Sequence, residues 1–470
     1  MLKLTQMRLT IIKKYGLLLF LGASLVACDK NLNIKPKQGV DAAVAIETAE
    51  DLEAARIGCY GMLAKGSLYG TNLNLVPELL GSDSYLTWRG SFQSYRQIAR
   101  RNMLTDNADV QRTWIDAYQA IELANVILDK YSIATTTDEQ NRVKGTALMV
   151  RGMMHFELVR LYAKQYDAAT AATNDGVPLS LIAVYDEEGA AVLPHREKVN
   201  VVYNQVITDL TEAASLLPER DSYYFTKYTA MAMLSRVYLQ MGDYAKARDA
   251  ANEVIDSGNY GLNPVVTIAF NNRNSSESIF EIQQNDQNNA GTANDGLTTF
   301  YASKAGSVGR GDAQVNSAFA DSYEDNDTRG EMSLIYHAEE GSARSTSVLC
   351  TGKFTSFGQN IPVIRLAEMY LTRAECNLRL GTTIGDTPAN DLNQIRKRAG
   401  VTDIASPTVD NVLHERQLEF AYEGLRIHDI RRVKASTGGY SWDDPELVLP
   451  IPKREIDATK GSLTQNEGYY

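Results

Sequence analysis

Residues 227–260 read as two amphipathic helices joined at Gly242-Asp243. Leu234, Ser235, Tyr238, Ala247, Ala251 and Val254 recur at helical spacing, with small side chains where one helix must lie close on the other. A hairpin of this kind cannot bury its apolar stripe alone and has to stack on others. Others are present. Residues 109–131 set Trp114, Ala117, Ile121, Ala124 and Leu128 on one face, and 138–166 carry Leu148, Gly152, His155, Phe156, Val159 and Tyr162. Residues 48–65 open with a capping box, Thr48 to Asp51. Residues 199–217 are stopped by Pro218, which cannot continue a helix. A further pair is expected at 361–380 with 388–399. The expected fold is mainly α: a helical-repeat scaffold with long loops and a few short strands.

The small and aromatic positions of 227–260 resemble the tetratricopeptide pattern. Two stretches break the periodicity. Residues 66–100 are aromatic and polar, and 261–360 are rich in Asn, Gln, Gly, Ser and Thr. Within the second, 278–282 read as a strand and 284–299 as a long polar loop. Loops on a rigid scaffold are where binding side chains concentrate. The expected organisation is a signal peptide at 1–27, an extended leader at 28–46, an N-terminal region of helical pairs at 47–260, and a C-terminal region of loops and closing pairs at 261–470.

The first 27 residues combine Lys3, Arg8, Lys13 and Lys14 with an apolar core at 17–21 and small residues beyond it. This is the layout of a secretory signal peptide. Its core is far shorter than the roughly 20 apolar residues that span a bilayer. It ends in Leu25-Val26-Ala27-Cys28, which resembles the bacterial lipobox. That resemblance implies cleavage before Cys28 and lipid on its thiol and new amino group, with more than one chain needed for stable anchoring. Lys35-Pro36-Lys37 keeps the leader extended. The expected membrane contact is through the lipid anchor alone.

The net charge is −11, and more negative once the basic leader is removed. An acidic body lacks the basic stripe a nucleic-acid partner needs. With Cys28 assigned to lipid, Cys59, Cys350 and Cys376 are left. That number is odd and no C-x-x-C occurs, which argues against a disulfide framework or a zinc site. One optional disulfide stays open. Cys59 and Cys376 sit in helical patterns as small buried hydrophobes.

None of the five histidines falls in H-E-x-x-H spacing, and there is no G-x-S-x-G elbow or phosphate-binding glycine loop. Asp325-Asn-Asp327-Thr-Arg-Gly330 resembles the start of a calcium loop. Arg329 stands where a third oxygen ligand belongs, and no glutamate occupies the twelfth position. No catalytic residue, metal or cofactor is expected. His155, on an apolar face, reads as a packed histidine.

The C-terminal third carries an ordered set of blocks. These are Pro362-Val-Ile-Arg-Leu-Ala-Glu-Met-Tyr-Leu-Thr-Arg-Ala-Glu375, Leu392-Asn-Gln-Ile-Arg-Lys-Arg-Ala-Gly400, Glu415-Arg-Gln-Leu-Glu-Phe-Ala-Tyr-Glu-Gly-Leu-Arg426, His428-Asp-Ile-Arg-Arg432, Leu449-Pro-Ile-Pro452 and Leu463-Thr-Gln-Asn466. This succession, with the lipobox, the helical pairs and Tyr323-Glu-Asp-Asn-Asp-Thr-Arg329, resembles the SusD/RagB family of outer-membrane lipoproteins. The closing block departs from it in having Glu467 where proline is usual. The resemblance implies a non-catalytic binder on the cell surface, lipid-anchored to the outer membrane. Its partner would be a SusC-like TonB-dependent outer-membrane transporter, to which it delivers oligosaccharide or, in the RagB branch, peptide. Residue chemistry alone leaves an anchored hydrolase and an assembly scaffold as rivals. The charges of Glu415, Arg416, Glu419, Glu423, Arg426 and Arg432 read as a structural ion-pair network, because buried charges need partners.

The family carries no ligand motif that transfers residue by residue, so the candidate site rests on chemistry. Sugar rings lie on aromatic faces while polar groups bind hydroxyls. Trp114 belongs to a core stripe, and Trp442 lies in a loop. Trp88 sits in Asp83-Ser-Tyr-Leu-Thr-Trp-Arg89 with Phe92 and Tyr95 close by. The expected ligand-binding residues are Asp83, Trp88, Arg89, Phe92 and Tyr95, with Asn285, Asp286, Phe300 and Tyr301 as a second contribution. Few tryptophans and 25 tyrosines keep a peptide ligand open.

Overall fold

A computed structural model describes residues 46–185, 193–291, 295–330 and 334–469. The expected signal peptide, Cys28 and the expected leader up to residue 45 lie outside the described residues. From Glu47 the chain forms one unit. Its first half holds α1 (Ala49–Leu63), α2 (Asn72–Leu80), β1 (Leu86–Trp88), α3 (Gln93–Ala99), α4 (Ala108–Lys130), α5 (Thr137–Tyr162), α6 (Val199–Leu216), α7 (Lys227–Met241) and α8 (Tyr244–Asp256). The second half holds β2 (Ser278–Ile282), β3 (Ala313–Val315), β4 (Ile335–His337), β5 (Leu349–Thr351), β6 (Ile361–Arg365), α9 (Leu366–Leu380), α10 (Pro388–Ala399), α11 (Val409–Glu419) and α12 (Arg426–Arg432).

The long helices stack in chain order. α4 packs on α5, α5 on α6, α6 on α7, α7 on α8, α8 on α9 and α9 on α10. This is the expected mainly α, tetratricopeptide-like scaffold. The α7–α8 hairpin shows why its sequence folds so. Gly242 turns at φ 76°, a left-handed conformation that costs glycine nothing. Asp243 then caps α8 by accepting the Lys246 N–H. Small Ser235 and Ala247 bring the helices close enough for the serine hydroxyl to donate to the Ala247 carbonyl at 2.9 Å, fully buried. Capping boxes open α1 at Thr48 and α5 at Thr136.

Two stretches differ from the sequence reading. Residues 361–365 are strand β6, not the first turn of a helix, and pair antiparallel with β2. Pro362 lacks an N–H and the β-branched Ile361, Val363 and Ile364 favour extended backbone. Residues 66–100 are not an open loop. They contain α2, every residue of which is buried, then β1 and α3. β1 opens a four-stranded antiparallel sheet of order β1-β3-β5-β4. Leu449-Pro-Ile-Pro452 returns the chain to the body, with the Leu449 N–H donating to the Leu161 carbonyl at 2.9 Å.

His155 is fully buried, and burial together with Arg151 pushes its pKa down to about 3, so it packs neutral. Cys59, Cys350 and Cys376 are free and buried. In the calcium-like loop, both Asp327 oxygens are taken by Arg329 at 2.9 and 2.6 Å. Among the described residues no His, Cys, Asp or Glu cluster is arranged for a metal, and no helix is long and apolar enough to cross a membrane.

The C-terminal charges are paired, in two buried networks. In the first, Glu419 is fully buried and faces Arg365 at 3.0 Å, Arg329 at 3.2 Å and Arg398. Arg365 grips Glu423 through two bonds of 2.8 Å and also meets Glu277. Lys353 joins Glu423 at 2.6 Å, and Arg396 joins Glu415 at 2.9 Å. In the second, Arg432 holds Glu375 at 2.7 and 2.9 Å and Asp429 at 2.6 Å, with Arg416 against Asp429 at 3.4 Å. Arg426 alone of the six named charges pairs with no carboxylate; it lies over the Tyr85 ring.

Removing one member of such a network strands the others without solvent, at a cost of about 3–5 kcal/mol. Glu419→Gln is expected to lower the urea midpoint of unfolding accordingly, with an unchanged m-value. Acid titration should expose the second network. Burial alone would raise the Asp429 carboxyl, but Arg416 and Arg432 outweigh it and hold it down to about 2. An unfolded aspartate titrates near 3.9. Its stabilising contribution is therefore whole above about pH 4 and lost as pH falls toward 2. The thermal midpoint should drop across that interval, and less steeply in Asp429→Asn, whose midpoint starts lower.

Candidate ligand-binding site

β1 ends at Trp88, paired with Ala313 of β3. The next residues turn tightly. A Cβ at Gly90 would come within 2.5 Å of the Trp88 ring and 2.9 Å of the Asp312 carboxyl carbon, so only glycine lets the loop lie on the indole. α3 follows and turns Tyr95 inward. A short helix, Leu297–Tyr301, brings Phe300 to the same place from far along the chain.

These residues meet as one aromatic cluster. Ring centroids are 5.0 Å apart for Trp88–Tyr95, 5.4 Å for Trp88–Phe300, 5.2 Å for Tyr95–Phe300 and 6.0 Å for Phe92–Phe300, mostly edge to face. Phe92 is 40% exposed and Trp88 only 8%. Phe92 is thus the open apolar surface, and Trp88 the wall behind it. The Trp88 Nε1–H is buried and has no hydrogen-bond partner among the described residues. An orphaned buried donor costs free energy until something accepts from it.

The floor of the cluster is polar and tightly held. Burial, with Asp109 nearby, pushes the Tyr95 phenol well above its ordinary pKa, so it stays protonated and donates to Asn72 Oδ1 at 2.7 Å. Arg112 donates to the Tyr95 hydroxyl at 2.9 Å, to Asp109 at 2.6 Å and to Asp295 at 2.7 Å. Asp295 lies two residues before the Phe300 helix, so Arg112 ties the start of that helix to α4. Above the cluster, the Arg310 guanidinium lies 5.0 Å from the Phe92 centroid and 5.5 Å from that of Phe300. Asp312 accepts from Arg310 at 2.9 Å and from Arg344 at 2.7 Å.

The structure therefore brings together Trp88, Phe92, Tyr95 and Phe300, while Arg89, next to Trp88 in the chain, is exposed. It does not bring in the others. Asp83 is exposed before β1 and its charge acts on Arg101, beyond the far end of the strand. Asn285 and Asp286 form an exposed turn packed against Gly358, in which Asn285 Oδ1 accepts the N–H groups of Gln287 and Asn288. Tyr301 is fully buried, stacked on Phe354 at 5.6 Å. Neighbours on a short helix point to different sides, which is why Phe300 and Tyr301 part. Trp114 is core and Trp442 is half-buried under Lys434. The sequence reading missed Arg112, Asp295, Arg310, Asp312 and Arg344. Only Gly309-Arg310-Gly311-Asp312 carried a signal: opposite charges between glycines, both of which adopt positive φ.

A depression of about 190 Å³ lies elsewhere, lined by Tyr223, Tyr224, Tyr260, Asn259 and Asn274. Tyr223 is exposed there, and Arg56 backs Tyr224 at 4.4 Å.

Comparison with known proteins places this architecture. Residues 62–239 match a family described as "Starch-binding associating with outer membrane", and 351–446 match the SusD family. SusD-like protein P2 of Formosa agariphila is 23% identical over 90% of this chain and 93% of its own length. Starch-binding protein SusD of Bacteroides thetaiotaomicron is 36% identical over 124 residues, 23% of this chain and 22% of that protein. A solved SusD superfamily protein from Bacteroides thetaiotaomicron superposes with a TM-score of 0.80 at 28% identity, over 89% of this chain and all of that one. With the helical stack, the β2–β6 pair and the ordered C-terminal blocks all in place, the chain belongs to the SusD/RagB family.

Proposed function

We propose that this protein is a non-catalytic binder of oligosaccharide, anchored by lipid at Cys28 on the outer face of the outer membrane. It delivers its ligand to a SusC-like TonB-dependent transporter. Family membership and the starch-binding description of the matched region support the ligand class. The lipobox at 25–28 supports the anchor. One observation carries the placement of the ligand: a half-open Phe92 face beside a buried, unpartnered Trp88 N–H. A sugar offers both things this pair lacks, an apolar ring face and a hydroxyl acceptor. The peptide-binding role of the RagB branch is the alternative, on the same scaffold and with the same transporter partner. An anchored hydrolase stands further off.

Titration calorimetry of the chain from residue 29 against oligosaccharide and peptide pools, with product analysis, tests this. Phe92→Ala is expected to weaken glycan binding about tenfold, or roughly 1.4 kcal/mol. Trp88→Phe, which keeps an aromatic ring and removes the N–H, should also weaken it. Tyr223→Ala should not. Selective binding of peptides would move the protein to the RagB role, and release of shortened sugars would overturn the non-catalytic reading. In cells, Cys28→Ala should shift the protein out of the membrane fraction, and its intact mass should lack lipid.

A further inference from the structure

The charges around Phe92 are unlike those of the rest of the protein. Four arginines meet the 88–92 loop. Arg89 belongs to it and is exposed, with no side-chain partner among the described residues. Arg96 is also exposed, and its guanidinium donates only to the carbonyls of Gly90 and Ser91, at 3.1 and 3.4 Å. Arg310 lies over the Phe92 ring, and Arg344 reaches the Arg89 carbonyl at 3.5 Å. One carboxylate faces them, that of Asp312. Both its oxygens are already used, one by Arg310 and the other by Arg344. Arg100, the residue that caps the end of α3 four positions beyond Arg96, is exposed as well. Arg112, Asp109 and Asp295 of the floor add one cation and two anions, so the site keeps two positive charges in excess, on a chain whose net charge is −11.

A neutral sugar gains nothing from that arrangement. Its hydroxyls are served by any donor, and the open cations would stay solvated beside it. A polyanion approaching an acidic protein is repelled everywhere except at such a patch. Guanidinium groups offer paired donors that fit the planar carboxylate or the sulfate oxygens. From this, and resting on the glycan reading above, we infer that the oligosaccharide taken at the Trp88–Phe92 site is acidic, with carboxylate or sulfate groups along its chain. Phe92 supplies the platform for a ring face. Arg89 and Arg96 meet the acid groups on either side, and the Trp88 N–H donates to a hydroxyl oxygen.

The test uses the chain from residue 29 and matched probes in titration calorimetry at 50 mM salt. One pair is oligogalacturonate and its fully methyl-esterified, neutral form. The other is sulfated and unsulfated dextran oligosaccharide. A poly-glutamate peptide serves as the anionic control. Exposed ion pairs each contribute roughly a two- to fivefold factor. The acidic member of at least one pair should therefore bind about tenfold or more tightly than its neutral partner. Which pair shows the preference separates uronate from sulfate recognition. That preference should shrink on going to 300 mM salt, where surface charges are screened. Arg89→Gln should narrow it while circular dichroism melting stays unchanged, because no contact of that side chain is lost; Arg96→Lys, which keeps the charge, should preserve the preference better than Arg96→Gln, which also gives up the bonds to the Gly90 and Ser91 carbonyls. Equal binding of neutral and acidic forms, lost in Phe92→Ala, would overturn the acidic ligand and leave the glycan reading standing. Binding of poly-glutamate alone, or of none of these probes, would overturn both.

Discussion

Glu419 sits without solvent among three arginines, and much of the molecule is arranged around keeping that possible. A carboxylate in the interior is tolerable only with partners of opposite sign and good geometry. Here the partners come from separate parts of the chain. Arg329 comes from the loop after β3, Arg365 from the end of β6, and Arg398 from the end of α10. Glu277, just before β2, closes the other side of Arg365 and Arg398. With Lys353, Arg396, Asp327, Glu415 and Glu423 the set contains five cations and five anions. None can shift without leaving another unpaired. Such a network adds little net stability over a well-packed apolar core, but it rejects any packing in which the strands and closing helices are out of register.

The ligand site inherits its geometry from this arrangement through one further carboxyl. Glu423 and Glu419 bracket the turn that leads into α12. Glu78, at the buried end of α2, accepts the N–H groups of Tyr422, Gly424, Leu425 and Arg426 at 2.8–3.2 Å. It also accepts the Tyr85 hydroxyl at 2.5 Å. Burial raises the Glu78 carboxyl despite these donors. Tyr422 is held at φ 69°, which a non-glycine residue adopts at some cost, and its ring stacks on Tyr85 at 4.9 Å. Tyr85 directly precedes β1, and β1 ends at Trp88. The C-terminal charge network thus fixes the strand that carries the binding loop, more than 300 residues earlier in the chain.

Much of this was legible in the sequence where it depends on local pattern. The helix pairs declared themselves through periodicity, and their ends through Thr48, Gly242 and Pro218. Five of the six charges at 415–432 pair as the sequence suggested, because so many in one hairpin cannot all face water; Arg426 instead lies over Tyr85. What local pattern cannot report is which side of a short element faces a distant one. Phe300 and Tyr301 are neighbours of like chemistry, and only the packing of Leu297–Tyr301 sends one to Trp88 and the other to Phe354. Residues 72–80 looked like part of a loop because a helix buried on every side has no polar face to create a stripe. Arg310 and Arg344 were invisible as site residues because the sheet that brings them to Phe92 joins segments more than 200 residues apart.

Arginine serves two opposite ends in this protein, and the difference is arithmetic. Around Glu419 five buried cations meet five carboxylates, and the result is rigidity. At the binding loop four arginines share one carboxylate, and Asp312 is fully spent on two of them. The same side chain that locks the scaffold when paired is left open to a ligand when it is not. Specificity therefore need not change the fold. Replacing Arg89, whose side chain is exposed, alters what the loop attracts, whereas replacing Arg365 alters whether there is a loop to present. A scaffold with this division can hold its shape while the charge of its rim follows the charge of the sugar.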